Sequence, residues 1–152
     1  MSWLVSKEPE IGAAVRLSKV LSRGDSVIAP GVFNPLIALS ARKAGFTSAY
    51  FSGAGFSASM GLPDIGLFTL DELTIAVRWV VRASGLPLIV DADTGFGEAL
   101  NVARTVRELE DAGAAAVHIE DQEMPKRCGH LDGKTLVTRE AMLEKIASAV
   151  AA

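Results

Sequence analysis

The chain alternates short apolar runs with longer amphipathic segments, and this alternation restricts its fold more than any other feature. The apolar runs predict four strands, at 27–31, 48–53, 86–93 and 115–121. The amphipathic segments predict helices at 34–45, 70–85, 99–113 and 138–150, with a leading helix at 11–24. Because apolar strands that alternate with helices form parallel sheets, the sequence predicts an α/β fold with about four βα units. A closed barrel and an open doubly wound sheet both satisfy this pattern.

Several of the predicted helices carry specific end signals. Asn34 is a candidate N-cap because Pro35 follows it at the first helical position. Gly45 and Gly85 stand where the first two of these helices are expected to stop. Thr138 begins the last helix without the acidic partner of a full capping box. These signals support the helix assignments independently of the apolar spacing.

Composition excludes several classes of protein. The chain has 152 residues, 49% of them hydrophobic, which suffices for a single domain over 1–152 with its own core. A net charge of −3 gives no reason to expect binding to nucleic acid or to an anionic membrane, and no apolar run is long enough to cross a bilayer. The N-terminal decapeptide lacks the pattern of a signal peptide. Because the single cysteine cannot form an internal disulfide, we expect a cytoplasmic location.

Acidic side chains follow two successive predicted strands. Asp91 and Asp93 stand two residues apart at the end of the third strand, where alternating side chains project to the same side. Glu120 closes the fourth strand and lies beside this pair if the two strands are neighbours. Converging carboxylates repel each other, and Mg²⁺ or Mn²⁺ relieves that repulsion. The sequence therefore predicts a metal site, although solvent-exposed loop acids would explain the aspartate pair alone.

The single thiol lies in a basic loop and not in a predicted core segment. Cys128 follows the fourth strand and is flanked by Lys126, Arg127 and His130. Nearby cations favour a thiolate and prepare it for proton transfer, so Cys128 is a candidate acid or base. An incidental exposed cysteine is the alternative interpretation. His118, inside the fourth strand, is interpreted as a hydrogen-bonded core residue and not as a ligand.

The glycine-containing segment at 50–58, YFSGAGFSA, has the spacing of a dinucleotide fingerprint after a strand. That fingerprint requires a long helix immediately afterwards, and Gly61, Pro63 and Gly66 argue against one. We therefore prefer a pocket of backbone N–H groups that accepts a small carboxylate or phosphate.

Six motifs occur in a characteristic order along the chain. They are YFSGAG (50–55), GLPDIG (61–66), DADTGFG (91–97), NVARTV (101–106), HIEDQ (118–122) and KRCGH (126–130). This set resembles the isocitrate lyase and phosphoenolpyruvate mutase superfamily, and within it the 2-methylisocitrate lyase group most closely. The similarity runs from about residue 12 to the end of the chain. It implies a parallel (β/α) barrel of the TIM type with Mg²⁺ at the carboxyl ends of the strands.

The resemblance implies a set of metal-binding residues. Asp91 is expected to bind the metal directly or through water, and Asp93 and Glu120 to hold metal-bound waters. Asp64 is expected in the outer part of this network.

The resemblance also implies substrate-binding and catalytic residues. The carboxylate of an α-keto acid is expected to contact a group of small or polar residues, namely Ser52, Gly53, Ala54, Gly129 and His130. Tyr50 is expected near the substrate hydroxyl or carbonyl. Cys128 is expected on a gating loop as the acid and base, with Lys126 and His130 as further catalytic residues. The substrate itself is expected to be a small carboxylate that also contacts Asp91.

The implied activity is cleavage of 2-methylisocitrate to pyruvate and succinate, a reaction of propionate metabolism. The cysteine is expected to protonate the succinate carbanion before it recombines. Two superfamily relatives with other reactions stay open, a 2,3-dimethylmalate lyase and a carboxyphosphonoenolpyruvate mutase. A further alternative is a catalytically inactive truncated fragment that requires a partner.

The predicted units amount to half of a barrel. A complete (β/α)₈ barrel typically needs about 250 residues, so about four βα units leave the first and fourth strands without neighbours. We therefore expect a homo-oligomer or an association with a missing second half.

Overall fold

The computed structural model describes residues 11–24 and 26–152. Within them the strands are β1 (Gly31–Val32), β2 (Ala49–Phe51), β3 (Leu88–Asp91) and β4 (Ala116–His118). The helices are α1 (Ala13–Leu21), α2 (Pro35–Lys43), α3 (Gly53–Ser59), α4 (Leu70–Ser84), α5 (Ala99–Asp111) and α6 (Arg139–Ala151). The N-terminal decapeptide, on which the signal peptide prediction rests, lies outside the described residues.

The four strands form one parallel sheet in the order β1-β2-β3-β4. Strands that are adjacent in the sheet are also adjacent in the sequence, and at least one helix separates each pair. A doubly wound sheet requires a reversal of strand order, and this sheet has none. The order is that of a barrel wall, so the predicted α/β class is confirmed and the choice between the two architectures is settled.

Two local predictions need correction. The first strand was predicted over 27–31, but β1 contains only Gly31 and Val32, because Pro30 has no N–H group to donate to a ladder. After β2, the prediction of no long helix is confirmed, yet the short helix α3 was not anticipated. Ser52 caps α3 by accepting a hydrogen bond from Gly55 N at 3.0 Å. This cap outweighs the poor helix propensity of the glycines in α3.

The predicted helix ends are largely confirmed. Asn34 Oδ1 accepts from Ile37 N at 3.0 Å, and Thr138 Oγ1 accepts from Ala141 N at 3.2 Å. Gly85 ends α4 in the left-handed conformation, with φ 65°. The start of α4 has a capping box between Thr69 and Glu72, in which each side chain bonds the backbone of the other residue.

The core lies between the sheet and the helices. A single cluster of buried side chains joins strand residues to residues of α2, α4 and α5, among them Val32, Phe51, Leu88, Val90, Leu73, Val77 and Leu109. Each of these side chains stabilises the fold by about 1.5–3 kcal/mol on burial. Packing on this side fixes the strand ends, where the polar residues collect. No helix in the described part of the chain is long and apolar enough to cross a membrane.

Candidate active site

The acidic residues meet at the carboxyl edge of the sheet. Asp91 is the last residue of β3 and lies opposite His118 of β4. Beyond the strands, Glu120 N donates to the Asp93 carbonyl oxygen at 2.7 Å, so the segments after β3 and β4 stay side by side. We call residues 91–98 the β3 turn and residues 119–138 the β4 loop. Together they carry most of the residues that the sequence singled out.

Asp91 and Asp93 form a buried pair around Gly53. Their side chains are 9% and 3% exposed, and Asp91 Oδ2 accepts from Gly53 N at 3.2 Å. Asp91 Oδ1 accepts from Asp93 N at 3.2 Å. A Cβ atom on Gly53 would lie 3.0 Å from Asp91 Oδ2 and 3.5 Å from Asp93 Oδ1. A side chain at this position would therefore push the Asp91 carboxylate away from α3 by a few tenths of an ångström.

Lys126 neutralises part of this charge from the β4 loop. Its ammonium lies 2.5 Å from Asp64 Oδ1 and 2.6 Å from Asp93 Oδ1, and its side chain is 2% exposed. The sequence predicted Lys126 beside Cys128, where it would favour the thiolate, but the side chain points into the carboxylates instead. Asp64 is the second carboxylate that Lys126 binds, and its side chain is 17% exposed.

The burial of these charges shifts their protonation equilibria. Burial raises the pKa of Asp93 to about 6; the Lys126 ammonium opposes this shift and the carboxylate of Asp91 adds to it. Burial also raises the pKa of Glu120, again opposed by Lys126. For Lys126, burial works against the charged form, but its bonds to Asp64 and Asp93 outweigh it and raise the pKa. One ammonium therefore does not balance the surrounding acids.

Tyr50 and His118 form a pair that the sequence did not predict. Tyr50 OH lies 2.9 Å from His118 Nδ1, and the rings are 6.2 Å apart between centroids. The interpretation of His118 as a core residue is wrong, because it lies at the exposed end of β4. Burial and the nearby Asp91 raise the pKa of Tyr50, so its hydroxyl keeps its proton. The available signal was the sequence spacing, because His118 stands two residues before Glu120 in the predicted fourth strand.

The β4 loop presents the thiol. Gln122 is buried and joins the loop to the site, since its Nε2 donates to Glu120 Oε2 at 2.8 Å and to Arg127 O at 2.9 Å. Cys128 is half-buried, with Sγ 3.8 Å from His130 Nδ1. Among the described residues, His130 is therefore the only one of the three flanking basic residues with a hydrogen bond to this sulfur.

The donor set fits a divalent cation at the aspartate pair. Asp93 Oδ2 is buried without a hydrogen-bond partner among the described residues, and Asp91 lies next to it. Hard carboxylate oxygens in a site of excess negative charge suit Mg²⁺. In the described part of the chain no three His, Cys, Asp or Glu side chains surround one point as a complete ligand set, and Lys126 stands between Asp64 and Asp93.

The expected carboxylate pocket at the start of α3 is partly occupied by the protein itself. Gly53 N donates to Asp91 and Gly55 N donates to Ser52 Oγ. Ser52, Gly53 and Ala54 nevertheless stand at the same edge as the aspartates, because β2 pairs with β3. Gly129 and His130 lie on the exposed part of the β4 loop.

A parallel sheet of barrel order with acids and a thiol at its carboxyl edge defines a class of α/β enzyme that acts at strand ends. Residues 17–152 match the family named phosphoenolpyruvate phosphomutase, and the chain belongs to this family within the phosphoenolpyruvate mutase and isocitrate lyase superfamily. The chain is 53% identical over 146 residues to a 2-methylisocitrate lyase from Aeropyrum pernix, covering 96% of this chain and 47% of that protein. This relative is named a lyase, and the chain is similar to about half of it.

Solved structures agree with this assignment. A 2,3-dimethylmalate lyase in a trigonal crystal form superposes with a TM-score of 0.87 at 42% identity, over 94% of this chain and 48% of that one. A phosphonopyruvate hydrolase in complex with oxalate and Mg²⁺ gives a TM-score of 0.83 at 35% identity, over 93% and 48%. The chain thus spans about half the length of the relatives it matches.

Proposed function

We propose that this chain carries the metal- and carboxylate-binding part of an Mg²⁺-dependent lyase that cleaves 2-methylisocitrate to pyruvate and succinate. The observation that carries the proposal is the buried Asp91–Asp93 pair at the carboxyl end of β3, where Asp93 Oδ2 has no hydrogen-bond partner among the described residues. The 53% identity to a 2-methylisocitrate lyase supports this choice of substrate. A place in propionate metabolism and a cytoplasmic location form part of the proposal.

Asp91, Asp93 and Glu120 would hold Mg²⁺ (or Mn²⁺), with Asp64 behind them. When bound, the ion supplies Lewis-acid stabilisation of the negative charge that develops on the keto acid oxygens. Lys126 keeps Asp64 and Asp93 in place through its two ion pairs. Because the site holds more carboxylate charge than the single Lys126 ammonium neutralises, it favours the binding of a divalent cation.

Tyr50 and the residues around it would bind and orient the substrate. Its hydroxyl keeps its proton because burial raises its pKa, so it donates a hydrogen bond to the substrate oxygen. The substrate carboxylate would lie against the group of Ser52, Gly53, Ala54, Gly129 and His130. Asp91 faces the same edge and fixes the reacting end.

Cys128 would act as the proton donor, with His130 beside it. Cleavage of the carbon–carbon bond leaves its electron pair on the succinate half, while the hydroxyl proton would pass to the imidazole of His130 and the hydroxyl oxygen becomes the keto oxygen. Transfer of the thiol proton to that carbon completes succinate and leaves a thiolate, which His130 stabilises from 3.8 Å. Closure of the β4 loop over the substrate would exclude water from this step.

Association forms part of the proposal. Among the described residues β1 pairs only with β2, and β4 only with β3, so both edges of the sheet are open. A second copy of the chain, or a separate polypeptide with further βα units, would cover these edges. If no such partner is present, the chain corresponds to the inactive truncated fragment that the sequence analysis left open.

A 2,3-dimethylmalate lyase is the second candidate. The structural match to an enzyme of that name, with a TM-score of 0.87, favours it. The mutase alternative uses no protonation of a carbanion by a thiol, and the position of Cys128 at the edge of the site argues for the lyases. Both lyase reactions release pyruvate, so the organic co-product separates them.

The deciding assay offers the purified chain 2-methylisocitrate, 2,3-dimethylmalate and isocitrate in the presence of Mg²⁺, and measures pyruvate and glyoxylate. It is run with the chain alone and after mixing with the part of the Aeropyrum pernix relative that the chain does not cover. We expect pyruvate from 2-methylisocitrate in at least the mixed sample. Pyruvate from neither sample, with folded protein and bound Mg²⁺, would reject the lyase proposal.

Replacement of the thiol tests the chemistry within that assay. Cys128→Ser is expected to lower cleavage by about 10²–10⁴-fold, the range that general acid catalysis contributes. Ser22→Ala, at an exposed position after α1, is the control and should cleave at the parent rate. Cleavage by Cys128→Ser at the parent rate would remove the assigned role of the thiol.

A further inference from the structure

Helix α6 buries a lysine in place of an apolar side chain. Lys145 is the only buried residue of this helix and is 5% exposed, whereas Leu143 and Ile146 beside it are 52% and 46% exposed. Burial of an ammonium is costly unless it is paired. Its one hydrogen bond among the described residues runs from Nζ to the Thr94 carbonyl oxygen, at 3.1 Å. The buried ammonium of α6 thus bonds only to the backbone of the β3 turn, among the described residues.

Every carbonyl group in the centre of the β3 turn has a different donor. The carbonyl of Ala92 accepts from Gly95 N at 2.8 Å, and that of Asp93 accepts from Glu120 N at 2.7 Å. The carbonyl of Thr94 accepts from Lys145 of α6, and that of Gly95 accepts from Thr105 Oγ1 of α5 at 3.0 Å. The carbonyl groups of the turn are therefore hydrogen-bonded by the turn itself, by the β4 loop, and by the helices α5 and α6.

This turn needs such support because its backbone is strained. Asp93 has φ 46° and Phe96 has φ 61°, both in the left-handed region that non-glycine residues avoid. The left-handed conformation at Asp93 directs its carboxylate towards Asp91 and Gly53. Rotation of the peptide between Thr94 and Gly95 would let Asp93 leave this left-handed conformation and so separate the aspartate pair.

We propose that Lys145 is a positioning residue for the acidic site. Its bond to Thr94 O fixes the plane of the Thr94–Gly95 peptide and so keeps Asp91 and Asp93 together for a divalent cation. The link to the cation rests on the proposed function, whereas the link to the turn does not. Neither the superfamily motifs nor the helical pattern of α6 singles out this lysine.

The test compares Lys145→Met, which lacks the donor, with Lys145→Arg, which retains one. Hydrogen exchange of individual backbone amides is measured by NMR on the 152-residue chain. We expect Lys145→Met to speed exchange at Gly95 N and Glu120 N at least about tenfold relative to amides of the β2–β3 ladder. Lys145→Arg should stay within about threefold of the parent. Lys145→Gln, whose shorter side chain does not reach Thr94, is the second variant in case the methionine variant does not fold.

Unchanged exchange at Gly95 and Glu120 would overturn the positioning role, because the bond would then not hold the turn. Equal acceleration throughout the sheet would also overturn it, because that is the effect of a lysine that stabilises the fold as a whole. Mn²⁺ affinity is titrated in the same samples. Lys145→Met is expected to weaken it about tenfold, with recovery in Lys145→Arg and no change in the exposed control Lys43→Met. Equal affinity in Lys145→Met would break the link to the cation. A parent chain that binds no Mn²⁺ contradicts the proposed function alone, and exchange then decides the role of Lys145.

Discussion

The β3 turn and the β4 loop lie side by side but are built in opposite ways. In the turn, Ala92, Asp93 and Thr94 are nearly inaccessible to solvent, and the successive carbonyl groups are all hydrogen-bonded. In the loop, only Gln122 and Lys126 are buried, and the segment that carries Cys128 lies beyond both. The difference separates two requirements of the proposed reaction, since a cation needs carboxylates fixed in advance and a proton donor needs access to the substrate.

Removal of Lys126 should have the largest effect, because it is the point at which the two regions are joined. Lys126→Met leaves Asp93 and Asp64 without their counter-charge in a mostly buried place, and loss of one partner of a buried pair costs about 3–5 kcal/mol. We expect the free energy of unfolding in urea to fall by about 4 kcal/mol.

The exposed control Lys43→Met should cost less than about 1 kcal/mol, the size of a charge effect at a helix C-terminus. The double variant Lys126→Met, Asp93→Asn should recover a large part of the loss, because it removes the uncompensated charge. A loss below about 1 kcal/mol in Lys126→Met would mean that the loop does not depend on this anchor.

The next largest effect is the pH dependence of the free energy of unfolding that Asp93 causes. Its pKa in the folded chain is about 6, above the ordinary value of 3.8, so the folded state holds the proton more tightly than the unfolded state. The contribution of Asp93 to the free energy of unfolding is therefore largest below pH 4 and is lost as pH rises through about 6, by about 3 kcal/mol in total. Glu120 adds in the same direction.

The measurement is the pH dependence of unfolding for the parent and for Asp93→Asn. Position 93 of the variant cannot lose a proton, so the difference between the two curves should show the contribution of Asp93 between pH 4 and 6. Mg²⁺ at pH 7 should restore part of the stability of the parent, because it favours the ionised form. Parallel curves would show that Asp93 is not the buried acid that the structure describes.

The sequence predicts the strands and helices around this site better than the side-chain contacts within it. Strands and helices follow from apolar spacing and from local end signals such as Asn34, Gly85 and Thr138, all of which act within a few residues. The convergence of Asp91 and Asp93 with Glu120 at one edge follows from a parallel sheet. Since neighbouring strands are consecutive, no long-range information is needed for that step.

The destinations of long side chains do not follow from the sequence. Lys126 was predicted beside Cys128 but reaches Asp64, which is 62 residues away, and Lys145 reaches Thr94, 51 residues away. A flexible stem of four carbons allows many targets, and the choice depends on which buried oxygen lacks a donor. The Tyr50–His118 pair was missed for a related reason, because it joins strands that are not adjacent in the sheet.

Substitution of two glycines, Gly95 and Gly129, tests the difference in packing between the β3 turn and the β4 loop. Gly95 of the β3 turn has φ 88°, and an added Cβ would lie 2.6 Å from Val102 Cγ2. Gly129 of the β4 loop has nothing within 4 Å of that position. We expect Gly95→Ala to lower the free energy of unfolding by at least about 2 kcal/mol, from left-handed strain and overpacking. Gly129→Ala should change it by less than about 0.5 kcal/mol, and similar costs for the two variants would erase the contrast.

Thr105→Val is the smallest and most local test of the turn. The side chain of Thr105 is fully buried, and its hydroxyl is the only described donor to the Gly95 carbonyl oxygen. Valine keeps the shape but leaves that oxygen unpaired, which costs about 1–2 kcal/mol in unfolding free energy. Because the other carbonyls of the turn keep their donors, Mn²⁺ affinity should fall less than in Lys145→Met. A larger fall in Thr105→Val would place the control of Asp93 on α5, and α6 would then contribute packing alone.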